Sequence, residues 1–289
     1  MPYSLLITVP ELQALLDSRK PCMVFDCSFD LADPDAGAQQ YQQRHVPGAV
    51  YAHLDQALSA HDGSERVSGG RHPLPTREAF AAWLRSAGFS SGMQAVVYDR
   101  NGSAFCGRLW WMLQWLGHGA VAVLDGGLQA WTQAGGALAQ GTPAPQAPGH
   151  FEPGAALRPL ARTGQVLEHL GTPGQTIVDA RAPARYRGEV EPLDPVAGHI
   201  PGALNRPFTD NFGPDGRFKS PEQLREEFLA LLAGRDPATV VHHCGSGVTA
   251  NPNVLAMELA GLGRAALYAG SWSEWCSDPQ RPVEKTPPP

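Results

Sequence analysis

Late in the chain a single cysteine stands between an apolar run and a run of small residues, Val240-Val241-His242-His243-Cys244-Gly245-Ser246-Gly247-Val248-Thr249-Ala250. The apolar run, the small residues and the pattern Val254, Leu255, Met257, Glu258, Leu259 read as strand, tight loop and helix. Such a loop aims a sulfur at a helix N-terminus. Unpaired backbone N–H groups and the positive end of the helix dipole favour an anion there, so a thiolate or a thiol-borne persulfide is stabilised. Cys244 is therefore the candidate nucleophile. The glycines beside it let backbone amides approach a ligand, which makes Gly245, Ser246, Gly247, Val248 and Thr249 its candidate cradle. The ordinary alternative for a cysteine is packing as a small hydrophobe, and for Cys22, Cys27, Cys106 and Cys276 that reading is preferred.

The elements that must position this loop come from an internal repeat. Met23-Val24-Phe25-Asp26 returns as Thr176-Ile177-Val178-Asp179, and His45-Val46-Pro47-Gly48-Ala49 returns as His199-Ile200-Pro201-Gly202-Ala203. Val96-Val97 returns as Val240-Val241 and Trp131 as Trp275, both at a spacing of 144. The first copy carries about ten extra residues in a loop that includes Arg71-His72-Pro73-Leu74-Pro75. Each copy alternates short β-like runs with helical patterns, which predicts an α/β domain with a mostly parallel sheet flanked by helices, twice over. The expected layout is residues 1–138, a Pro/Ala/Gly-rich linker at 139–159 read as an extended surface tether, and residues 160–289. At the position matching Cys244 the first copy has Arg100, so that copy is expected to be inactive and the second to do the chemistry. Ser220-Pro221-Glu222-Gln223 has the capping hydroxyl, early proline and returning amide of a helix start. Pro252 is tolerable only in a first helical turn, so a helix is expected to begin shortly after Val248.

Composition narrows the class. A formal net charge of -6 with no basic cluster does not describe a nucleic-acid binder, and no apolar run reaches membrane-spanning length. The N-terminus lacks the features of a secretory signal, and five cysteines without a C-x-x-C pair predict reduced thiols in a cytoplasmic enzyme. A cysteine phosphatase needs His-Cys-x5-Arg to clamp phosphate. Here Thr249 ends the five-residue stretch and Ala250 stands where the arginine would be.

The tandem layout, the two His-x-Pro-Gly-Ala segments, Asp179-Ala180-Arg181, the loop Cys244 to Ala250 and the tail Tyr268-Ala269-Gly270-Ser271-Trp272-Ser273-Glu274-Trp275 resemble the two-domain rhodanese family of sulfurtransferases over nearly the full chain. The resemblance implies tandem rhodanese-like domains and transfer of a sulfane sulfur through a Cys244 persulfide, with no metal or organic cofactor. The implied acceptor is cyanide or a thiol, such as thioredoxin or a small thiol. A neutral Cys-Gly-Ser-Gly-Val-Thr loop resembles the branch that uses 3-mercaptopyruvate. Thiosulfate users typically place Arg-Lys after the cysteine, as suits a dianionic donor. Thiosulfate is the alternative donor, and a non-catalytic rhodanese-like binding module the remote one. By the same resemblance Arg185 matches a substrate-binding arginine, and Ser246, His72 and Asp55 match a group that moves the substrate thiol proton. A second binding arginine is expected soon after a Glu-Pro pair, yet Glu191-Pro192 is followed by Leu193 and Asp194; Arg108 or Arg187 would compensate if the fold brings them near.

Overall fold

The computed structural model describes residues 2–61, 63, 65–143 and 146–286. The chain divides into two compact units: Met1–Glu65, Pro75–Leu157 and Pro214–Arg217 form one, and Arg66–Leu74, Arg158–Gly213 and Phe218–Pro289 the other. The segment that carries Arg71 and His72 thus groups with the second unit, although the repeat assigns it to the first copy.

In the first unit the elements run β1 (Leu6–Ile7), α1 (Val9–Asp17), β2 (Cys22–Asp26), α2 (Ala36–Gln43), β3 (Val50–Tyr51), α3 (Leu54–Ala57), α4 (Arg77–Ser86), β4 (Gln94–Tyr98), α5 (Cys106–Trp115), β5 (Val121–Leu124) and α6 (Gly127–Gln133). The five strands form one parallel sheet in the order β1-β5-β4-β2-β3. The segment after α6 runs irregularly and is tied to the unit at several points. Ala139 and His45 exchange backbone hydrogen bonds, Gly149 N donates to Arg85 O, Gly154 N donates to Leu116 O, and Phe151 is buried against Phe89.

The second unit repeats the plan with β6 (Leu160–Ala161), α7 (Thr163–Glu168), β7 (Thr176–Asp179), α8 (Pro183–Arg187), β8 (Leu204–Asn205), α9 (Pro221–Leu232), β9 (Val240–His243), α10 (Asn251–Leu259), β10 (Ala266–Tyr268) and α11 (Ser271–Trp275). Its sheet is parallel in the order β6-β10-β9-β7-β8, strand for strand the order of the first. β9 is central and wholly buried, as its unbroken run requires of a parallel strand covered on both faces. Successive side chains alternate between faces: Val241 and Ile177 pack with Tyr268, Trp272 and Trp275, whereas Val240 and Val178 pack with Leu224, Phe228 and Met257. α9 starts where its capping signal lies, with Gln223 N donating to Ser220 Oγ and Ser220 N donating to Gln223 Oε1. α10 begins at Asn251 with Pro252 in its first turn. No helix among the described residues is long and apolar enough to cross a membrane.

Candidate active site

Three adjacent parallel strands of the second unit end at the cysteine. β7, β9 and β10 stop at Asp179, His243 and Tyr268, and the turns that follow supply Arg181, Cys244 and Ser271. Ligands of open α/β sheets bind at such carboxyl ends. Cys244 is 1% exposed. Its N–H donates to Ser271 Oγ at 3.1 Å; that hydroxyl donates to Tyr268 O at 3.0 Å and stands 4.0 Å from Cys244 Sγ. Ser271 holds φ +56, a left-handed conformation that costs a residue with a Cβ and that the packed turn enforces.

The loop after the cysteine is oriented by its carbonyls. Trp272 N donates to Cys244 O and Ser273 N to Gly245 O, while Asn251 Nδ2 donates to Gly247 O and Val248 O. A trans peptide points its C=O and the next N–H in opposite directions. Tying down those carbonyls therefore turns the N–H groups of Gly245, Ser246, Val248 and Thr249 the other way, and these donate to no group among the described residues. The bend needs Gly247, whose φ is +75 and at which a Cβ would stand 2.1 Å from Ala269 O. The outcome is a row of aligned, unspent donors suited to an anion.

The matching loop of the first unit has the same bend, but a carboxylate of its own takes up part of its donor row, including the N–H groups of Asn101 and Phe105 at the positions of Gly245 and Thr249. Ser103 takes φ +60 where Gly247 has +75. Asp99, at the position of His243, accepts hydrogen bonds from the backbone N–H groups of Asn101, Ser103, Phe105 and Cys106 at 2.8–2.9 Å. Arg100, at the position of Cys244, donates to Ser28 Oγ and pairs with Asp26 at 3.3 Å. A built-in carboxylate occupies this cradle.

Around Cys244 the charges form a chain. Arg181 pairs with Asp179 at 2.6 Å and with Glu191 at 3.3 Å, and Arg185 pairs with Glu191 at 2.6 Å and with Asp194 at 3.3 Å. Burial acts to raise the Asp179 carboxyl, but His243 and Arg181 beside it outweigh burial and hold it below the usual carboxylate range. His243 is itself pushed down by burial, against the opposing pull of Asp179. Both histidines before the cysteine are fully buried, with His242 set edge-on to Phe228 and neither of its ring nitrogens partnered among the described residues. Burial pushes the thiols of Cys22, Cys27, Cys106 and Cys276 up, the last to about 11, so these four stay protonated at neutral pH.

His72 and Ser246 come together: His72 Nδ1 lies 2.7 Å from Ser246 Oγ, both side chains buried. Asp55 sits on α3 of the first unit, 3.3 Å from His61 Nε2. Arg185 reaches the loop, for a Cβ on Gly245 would stand 3.5 Å from Arg185 Nη1. Arg187 turns to Glu189 at 2.7 Å, and Arg108, 1% exposed in α5, donates twice to Leu58 O. The second guanidinium beside Gly245 is instead that of Arg71, with Nη2 2.9 Å from the same point. Arg71 is ion-paired with Asp194 and donates its backbone N–H to Ser273 Oγ. Sequence reasoning passed over Arg71 and Ser271. The available signals were an acid at 194 where a cation was expected, and a cation next to His72 in the extra loop.

A family model described as "Rhodanese-like domain" matches residues 8–134 and 163–278. A Pseudomonas aeruginosa protein named "Probable 3-mercaptopyruvate sulfurtransferase" is 50% identical over 286 residues, covering 98% of this chain and 99% of its own. A Mycobacterium tuberculosis protein named "Putative thiosulfate sulfurtransferase SseB" is 41% identical, covering 96% of each chain. The crystal structure of SseA from Escherichia coli, titled as a 3-mercaptopyruvate sulfotransferase with the "Rhodanese" fold, matches with a TM-score of 0.79 at 30% identity, over 94% of this chain and 100% of that one.

Proposed function

The chain belongs to the rhodanese family and is a sulfurtransferase, and from that premise we propose that it takes sulfur from 3-mercaptopyruvate, with Cys244 as the carrier. The observation that carries the assignment of Cys244 is the row of unspent amides that follows it, set against the first unit's loop, where Asp99 takes four backbone N–H groups. The Cys244 thiolate attacks the donor sulfur, the C–S bond breaks, and its electron pair leaves with the carbon as the enolate of pyruvate. Ser246 and His72 carry the donor's thiol proton to that enolate carbon, with Asp55 as the proposed third member of the relay. The outer sulfur of the persulfide, negatively charged, lies among the N–H groups of the Gly245–Thr249 loop. An acceptor thiolate, or cyanide, then attacks it and restores the Cys244 thiolate.

The neutral loop and the 50% identical relative's name support mercaptopyruvate, while the 41% identical relative's name keeps thiosulfate as the second reading. Five unpaired cysteines support a reducing, cytoplasmic setting with a thiol acceptor such as thioredoxin or a small thiol. The test is mass spectrometry of the protein after exposure to each donor, with turnover measured at a matched acceptor concentration. One added sulfur on Cys244, gained faster from 3-mercaptopyruvate, is expected. Faster gain from thiosulfate overturns the donor, and sulfur on no cysteine or on another one overturns the role of Cys244.

A further inference from the structure

Resting on that sulfurtransferase reading, we propose that Arg71 is the second jaw of an anion clamp, gripping the donor's carboxylate together with Arg185 beside Gly245. The two guanidinium groups converge on the one residue of the loop peptide-bonded to Cys244. A Cβ there would meet Arg71 Nη2 at 2.9 Å and Arg185 Nη1 at 3.5 Å, so the space a side chain would fill is faced by two cations.

Their hydrogen bonds show which nitrogens remain for a ligand. Arg71 uses Nη1 on Asp194, and Arg185 uses Nε and Nη2 on Glu191 and Nη2 on Asp194. Arg71 Nη2 and Arg185 Nη1, the atoms that face Gly245, donate to nothing among the described residues. Two like charges hold this arrangement because Asp194, its side chain 3% exposed, lies against both and offsets their repulsion, while Glu191, equally buried, fixes Arg185 from the other side. Paired N–H donors from two planar forks match the two oxygens of a carboxylate. Leu193 therefore leaves no deficit of charge: the acid after it recruits a cation from a loop more than a hundred residues away.

The clamp also sets the donor against the proton relay. Arg71 is fixed through its backbone to Ser273 Oγ, and the next residue, His72, contacts Ser246. A carboxylate seated on Arg71 and Arg185 holds the donor's thiol end in a defined relation to Cys244 and to His72.

The experiment compares kcat/KM for 3-mercaptopyruvate with that for mercaptoacetone, the neutral donor in which a methyl group replaces the carboxylate, in the native chain, Arg71→Ala and Arg71→Lys. The ratio of the two values does not depend on how much of a variant folds. Loss of one charge-assisted hydrogen-bonding group lowers the ratio about ten- to a hundredfold in Arg71→Ala, chiefly through KM for the acid, with Arg71→Lys between the two. A native ratio in Arg71→Ala overturns the clamp and leaves the sulfurtransferase reading intact. No sulfur gained by the native chain from either donor overturns that reading and the clamp with it.

Discussion

Gly247→Ala tests whether the orientation of the loop amides is what makes Cys244 a sulfur carrier. At φ +75 a residue with a Cβ takes on a strain of roughly 1–2 kcal/mol. The new carbon would also stand 2.1 Å from Ala269 O and 2.8 Å from Ala269 C, backbone atoms that cannot swing aside. Restoring van der Waals contact moves either the loop or the turn carrying Ser271 by about 1 Å, and a misplacement of that size costs about a hundredfold in rate. The expected result is a stability loss of about 2 kcal/mol or more, and persulfide formation about a hundred times slower. Urea midpoints report the first, and single-turnover intact mass of Cys244 after mixing with 3-mercaptopyruvate reports the second. Gly247→Ala that gains sulfur at the native rate would refute the reasoning, because the amides would then have lost their aim without consequence.

Two further outcomes follow from the buried groups. In a Cys244→Ser background, Arg100→Cys is expected to gain no sulfur at position 100, because the Asp99 carboxylate already holds four N–H groups of that loop; an adduct mapped there by peptide mass spectrometry would contradict this. His242 is pushed down to about 3 by burial, with Arg206 and His243 adding to the shift, against about 6.5 in an unfolded chain. Between those values the unfolded chain binds a proton that the folded one refuses, so this residue lowers stability by about 1.4 kcal/mol for each pH unit of acidification below about 6.5, and His243 acts in the same direction. Urea midpoints at pH 7.5 and 5.5 should fall less steeply for His242→Leu than for the native chain, and parallel slopes would contradict the assignment.

What was legible in the sequence is what short-range rules govern. The strand–cysteine–glycine–helix order, the start of α10 near Pro252, the cap at Ser220 and the doubled sheet all follow from residues within a turn or two of each other, or from a repeat that can be counted. The segment from residue 139 has no helix or strand among its described residues, as its composition suggests, but composition does not reveal that one buried ring, Phe151, and a few backbone bonds lay it along the first unit. Arg71 meets Asp194 across 123 residues and Ser273 across 202, and neither pairing leaves a local pattern. Arg108, proposed on its charge alone, is held by a carbonyl inside its own unit. The role of Asp99 was invisible for a different reason: a carboxylate that turns back onto its own following amides looks in sequence like any loop acid.

That carboxylate makes the first loop a permanent tenant of its own binding place. Four of its backbone donors are satisfied from the moment the chain folds. The loop of Cys244 has the same bend, and its N–H groups at Gly245, Ser246, Val248 and Thr249 meet no built-in acceptor among the described residues, so it lacks the local stability that such bonds confer. In the proposed cycle, an anionic outer sulfur on Cys244 would give this loop an acceptor for the lifetime of one intermediate, as Asp99 does for its twin. On that mechanism the persulfide is a stabilising ligand of the fold as well as a reaction intermediate, so loading Cys244 with sulfur is expected to raise the urea midpoint.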